Sequence, residues 1–152
     1  MSKIVSKWIS TFFGVGLLRP APGTWGSLAA MPIGLWMLVT GGWSILLAAS
    51  ITAFLIGLWA SDQYAKNTGN KDPSEVVIDE VAGQWLALAF VQPVLWQVVA
   101  AFVLFRIFDI SKPWLIRRLE KLPGGLGIMA DDMLAGLVAG LLIFLCRIVL
   151  GL

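Results

Sequence analysis

Histidine does not occur in the 152 residues, and cysteine occurs once, as Cys146 inside an apolar run. The first absence removes a Ser-His-Asp triad, an imidazole base and any histidine metal ligand. The second removes disulfide scaffolds and cysteine-rich metal sites. Charge is also scarce. Only 13% of residues are Asp, Glu, Lys or Arg, about half the usual share of a soluble domain. The net charge of +2 is too small to point to nucleic acid. Lys3 and Lys7 precede only a short apolar stretch, which meets Arg19-Pro20 without a cleavage motif, so no secretory leader is expected.

Apolar sequence dominates instead. The hydrophobic fraction is 59%, with eight tryptophans and sixteen glycines, a composition suited to membrane helices and their interfaces. Residues 28–60 and 81–105 carry no charge, and 133–152 carry only Arg147. Gly41-Gly42 divides the first run, predicting two helices of spanning length over 24–40 and 43–60. Gln92-Pro93 divides the second into two shorter helices, because proline disfavours helix at the residue before it and lacks a backbone donor. Residues 133–152 form a last helix. The expected fold is one all-α domain over 1–152, a membrane bundle of about five embedded helices with interfacial helices beside it. A soluble helical bundle is the competing reading, since Pro, Gly and Gln interrupt the apolar runs.

Local signals agree with helices. Asp72-Pro73-Ser74-Glu75 reads as a capped helix start near Pro73, with Asp72 and Glu75 as capping residues. Pro113 opens a helix over 114–122, whose Arg117, Arg118 and Lys121 suit the surface of an anionic membrane. Gly136 and Gly140 have GxxxG spacing and permit a homodimer.

Two hairpins return the chain to its starting side, so the three charged stretches meet at one face. That face holds ten of the eleven Lys and Arg residues, and the positive-inside rule makes it cytoplasmic. Five carboxylates, Asp79, Glu80, Asp109, Asp131 and Asp132, are expected there at helix ends. Carboxylates near hydrocarbon are costly, and clustering around a divalent cation offsets the cost. Oxygen-only ligands suit Mg²⁺ or Mn²⁺. Such a site can bind phosphate oxygens and activate water. Arg106, Lys112 and Arg19 are candidate phosphate holders. Thr24 and Ser27 belong to a second candidate anion site, Pro22-Gly23-Thr24-Trp25-Gly26-Ser27, which opens a helix with free N–H groups. Structural readings stand beside these: Asp131 as a helix cap, Asp79 and Glu80 paired with Lys66 or Lys71, and Arg106–Asp109 as a simple ion pair. A small ion or metal transporter, or a non-catalytic membrane protein with a structural acid cluster, is the alternative function. A transporter would favour charges at several depths, which these nearly uncharged spans do not offer.

Four ordered blocks carry a family resemblance. They are Gly16-Leu-Leu-Arg-Pro-Ala-Pro-Gly-Thr-Trp-Gly-Ser27, Val77-Ile-Asp-Glu-Val-Ala-Gly-Gln-Trp85, Phe105-Arg-Ile-Phe-Asp-Ile-Ser-Lys-Pro-Trp114 and Gly124-Gly-Leu-Gly-Ile-Met-Ala-Asp-Asp-Met-Leu-Ala-Gly136. Here the chain resembles the phosphatidylglycerophosphatase A family of bacterial membrane phosphatases. The resemblance implies an all-helical fold in the bacterial inner membrane. It also implies Mg²⁺-dependent removal of the terminal phosphate of phosphatidylglycerophosphate, giving phosphatidylglycerol and inorganic phosphate. Carried onto this chain, it makes Asp79, Glu80, Asp109, Asp131 and Asp132 the metal and acid–base candidates, and Arg106 and Lys112 the phosphate holders.

Overall fold

The computed structural model describes residues 2–151. Among them every regular element is helical: α1 (Ser2–Ser10), a 3₁₀ turn (Val15–Leu17), α2 (Pro22–Thr68), α3 (Ile78–Leu88), α4 (Leu95–Ser111), α5 (Trp114–Leu119) and α6 (Gly125–Leu150).

α2 is continuous in hydrogen bonding but not in direction. Gly42 has φ 75° and ψ 179°, a conformation open mainly to a residue without Cβ. The chain folds back there into arms 22–41 and 43–68. The return is visible in the contacts. The Ala30 carbonyl on the first arm accepts from the Trp85 indole at 2.9 Å, and Ser50 on the second donates to the Ala82 carbonyl at 2.8 Å. Both arms therefore clasp α3 at one level, and the hairpin expected at Gly41-Gly42 is present. The second arm runs eight residues past position 60. Its last turns bury Tyr64 and pair Asp62 with Lys66 at 2.6 Å, four residues apart on the helix.

α3 is the hub. Nine of its eleven residues are buried, and α2, α4 and α6 pack around it. Small residues permit the approach: a Cβ on Gly136 would run into the Gly83 carbonyl, and one on Gly140 would meet the Phe90 ring. The GxxxG face that suggested a homodimer is thus used inside the protomer, between α6 and α3.

The helix expected to start near Pro73 begins only at Ile78. Val77 has φ −136° and ψ 4°, and its N–H donates to the Ser10 carbonyl at 2.8 Å. Glu75 pairs with Arg19 at 2.9 Å rather than capping. These tertiary bonds hold residues 73–77 against α1 in a tight turn, closed by the Val76 N–H on the Pro73 carbonyl at 3.0 Å, rather than in a helix. The last helix departs in the opposite sense. It starts at Gly125, not 133, so Asp131 and Asp132 lie inside α6 rather than before it.

Two helices, α2 and α6, are long and apolar enough to cross a bilayer. In each, only 28% of the most apolar window is buried, whereas a core helix of a soluble bundle would be mostly covered. Exposed Trp36, Trp43 and Trp96 lie towards the Gly42 end, and exposed Trp8, Trp25, Trp59 and Trp114 towards the other. Two aromatic belts flanking apolar surface are what a bilayer selects. This is a membrane protein. α3, at eleven residues, is only about 16 Å long, too short to cross by itself.

Candidate active site

Three acids, two buried and one half-buried, come from two helix starts. Asp79 and Glu80 occupy the first turn of α3, and Asp132 stands in the second turn of α6. Their carboxylate oxygens lie within 4.8 Å of one another. Asp131 and Asp132 are each 3% exposed. α4 ends beside them and supplies Arg106, Asp109 and Lys112. The left-handed conformation of Lys112 (φ 42°) closes α4, and Pro113 turns the chain into α5.

Arg106 is the central cation. It pairs with Asp109 and lies 3.8 Å from Glu80. The Nη1 that bonds Asp109 also donates to Ser27 Oγ at 3.5 Å, and Nη2 donates to Thr24 Oγ1 at 3.4 Å, both at the start of α2. Gly23 completes this corner, since a Cβ there would collide with Glu80 Oε1 and crowd the guanidinium. Lys112 donates to Asp131 at 2.9 Å and pairs with Glu120 at 3.2 Å. All of these groups except Thr24 and Ser27 line a cleft of about 1070 Å³.

Burial pushes the Asp79 carboxyl well above its ordinary range, and the neighbouring Glu80 charge adds to this. Glu80 is pushed up to about 7, mainly by burial. Asp109 also raises it, while the bond with Asp79 and the Arg106 charge lower it. Burial alone would lower Lys112, but Asp131 and Glu120 outweigh burial and hold the ammonium above its usual range.

Comparison with known proteins decides the family. The family model described as Phosphatidylglycerophosphatase A matches residues 8–147. A Haemophilus influenzae protein named phosphatidylglycerophosphatase A is 43% identical over 134 residues, 87% of this chain and 82% of that protein. One of the same name from Escherichia coli K12 is 41% identical over 149 residues, 94% and 86% of the two chains. A Bacteroides thetaiotaomicron protein named putative phosphatidylinositol-3-phosphatase is 42% identical over 150 residues, 94% of each. No solved structure matches.

The chain belongs to the phosphatidylglycerophosphatase A family. Membership makes it a phosphatase, and the cleft is its candidate active site. Of the residues expected there, Asp79, Glu80, Arg106, Asp109, Lys112, Asp131 and Asp132 all line the cleft. Thr24 and Ser27 stand behind Arg106. Arg19 is not among the lining residues: it bonds Ser74, at the cleft edge, and Glu75, with its side chain 59% exposed. Asp79 and Glu80 do not pair with Lys66, which is held by Asp62. Sequence reasoning passed over Asp62, which lines the cleft wall and abuts Gly124. Its position just past the apolar run was the available signal. Gly23 was read as a phosphate-loop glycine, but its contact with Glu80 could not be foreseen.

The family resemblance implies a divalent cation, and the residues fit one. Eight carboxylates and five cations line the cleft, and five of those carboxylates (Asp79, Glu80, Asp109, Asp131 and Asp132) gather around Arg106 and Lys112. Glu80 Oε2, Asp131 Oδ1 and Asp132 Oδ2 are buried without a hydrogen-bond partner. Buried anionic oxygens left in this state are costly unless paired or coordinated to a metal. An all-oxygen donor set matches Mg²⁺ or Mn²⁺.

Proposed function

We propose that this protein removes the terminal phosphate of phosphatidylglycerophosphate in a Mg²⁺-dependent hydrolysis, yielding phosphatidylglycerol and inorganic phosphate. The observation that carries the proposal is the buried acid cluster beside Arg106. A strongly anionic cleft repels a phosphate monoester unless a cation intervenes, and the orphaned carboxylate oxygens are where it would be held. Asp79, Glu80 and Asp132 would form its core, with Asp131 and Asp109 at the edge. Bound there, the cation would neutralise phosphate oxygens and lower the pKa of water.

The chain's own groups account for the rest. Arg106 is positioned to hold phosphate oxygens by charge-assisted bonds, steadied by Asp109 and backed by Thr24 and Ser27. Pro22 has no N–H and the Thr24 and Trp25 N–H groups bond the Ala21 carbonyl, so the start of α2 favours negative charge on the same side through its helix dipole. Water adds to phosphorus as the bond to the glycerol oxygen breaks. A carboxylate of the cluster takes one proton from the water and passes it to the departing oxygen, which leaves as the alcohol of phosphatidylglycerol, while the other stays on inorganic phosphate. The protein crosses the bacterial inner membrane several times, and its charged end faces the cytoplasm by the positive-inside rule.

The test is phosphate release by purified protein from phosphatidylglycerophosphate, with and without Mg²⁺. Release only with the metal is expected, and its absence from folded protein would sink the proposal. The name of the Bacteroides relative makes phosphatidylinositol 3-phosphate the informative second substrate. Faster release from that lipid would move the headgroup assignment while leaving the chemistry in place.

A further inference from the structure

A second hollow, of about 550 Å³, opens beside the cleft and is formed by the α4–α5 turn and α5. Its walls include Ser111, Lys112, Trp114, Arg117, Arg118 and Lys121, and no acid. Lys112 and Lys121 border both spaces, so the two are contiguous. Glu120 engages Lys112 from the cleft side. Arg117, Arg118 and Lys121 have no ion pair among the described residues. The Arg118 guanidinium is laid over the Trp114 ring at 4.3 Å, which fixes its direction. Arg117 and Arg118 close α5 and Lys121 follows in the turn just after it, so three like charges crowd one short segment. Nothing in the packing offsets this crowding, and an anion would.

The neighbouring surface shows which anion. Trp114 is 73% exposed and Leu115 55%, so apolar side chains stand beside the cations, as at the headgroup level of a bilayer. We propose that this hollow binds the phosphodiester of a membrane glycerophospholipid, the second phosphate of the same substrate whose terminal phosphate enters the acid cleft. The site rests on the lipid-phosphatase reading above and extends it. It would select lipids with an anionic diester one short polyol away from the scissile phosphate, and it would leave the acyl chains against Trp114 and Leu115.

The experiment compares wild type with R117Q/R118Q and R117K/R118K as full-length protein in phosphatidylcholine nanodiscs. Phosphate release is measured from phosphatidylglycerophosphate and from glycerol 3-phosphate, which has no diester. In R117Q/R118Q the preference for the lipid should fall about tenfold or more through KM, the scale of losing one or two charge-assisted hydrogen bonds. R117K/R118K should recover most of it. An unchanged preference would overturn the site. In parallel, calorimetry titrates dihexanoyl phosphatidylglycerol, which carries only the diester, and inorganic phosphate. The Gln variant should weaken the lipid about tenfold and phosphate less than twofold. Equal weakening would mean a general anion site and overturn the proposal. Wild type that releases no phosphate from either substrate would instead remove the phosphatase reading, and the calorimetry would still report on the diester site.

Discussion

At the scale of single residues, the acid cluster is held by crowding as much as by charge. Asp79 and Asp132 come from different helices and have few partners of their own, so removing either charge should leave the fold intact. Asp79→Asn and Asp132→Asn are each expected to lower kcat by about 10²-fold or more, the scale of losing a preorganised charge-stabilising group. Unchanged elution on size exclusion would show that the loss is chemical. Full activity in both would make the cluster structural. Arg106→Ala should raise KM for the lipid by about tenfold, because charge-assisted bonds to phosphate are lost. Gly23→Ala places a methyl group against Glu80 and the Arg106 guanidinium. It should impair turnover more than stability, since both groups border the open cleft. The identities of the acids and of Arg106 were legible in the sequence, because charge is rare enough for each instance to stand out. Gly23's contact was not, because it joins residues 23, 80 and 106.

At the scale of elements, α3 sets the positions of everything else. It is short, almost wholly buried and clasped by small residues on α2 and α6. Gly136→Leu should therefore destabilise the protein by about 1–3 kcal/mol, the usual range for overpacking. A detergent-solubilised thermal melt would measure the loss. The same melt should detect Ser50→Ala, which removes the buried bond to the Ala82 carbonyl at a cost of about 1 kcal/mol. Breaks at Gly42 and near Pro93 could be read from the sequence because backbone chemistry decides them locally. The start of α3 could not. The Asp72–Glu75 signal is a sound helix opening in isolation, but Val77 bonds to Ser10, and Arg19 takes Glu75. Such long-range partners override a local preference worth only a kilocalorie or so.

At the scale of the whole molecule, the hairpin of α2 carries the topology. With Cys146 replaced by alanine, single cysteines at Thr40 and Asn70 should react with a membrane-impermeant maleimide from opposite sides of sealed vesicles. Reaction from the same side would contradict the crossing of α2. One-sided charge and the apolar runs announced a membrane protein with its chemistry at one end. The exposure of α2 and α6 supports that reading against a soluble bundle.

The sequence by itself determined the class of chemistry. Without histidine or a cysteine set, carboxylates, Arg106, Lys112 and a hard cation are the means left for handling a phosphate. It also determined the family, through ordered blocks that need no coordinates to compare. Tertiary structure decided which of these groups meet. It gathered Asp79, Glu80 and Asp132, tied Arg19 to Ser74 and Glu75 outside the cleft lining, moved Asp131 and Asp132 inside α6, and turned the GxxxG face inward against α3. The reason is physical. Composition and spacing report what each residue prefers next to its neighbours in the chain. A cleft is made by side chains far apart in sequence, and their meeting is set by how closely α2, α4 and α6 can approach the narrow surface of α3.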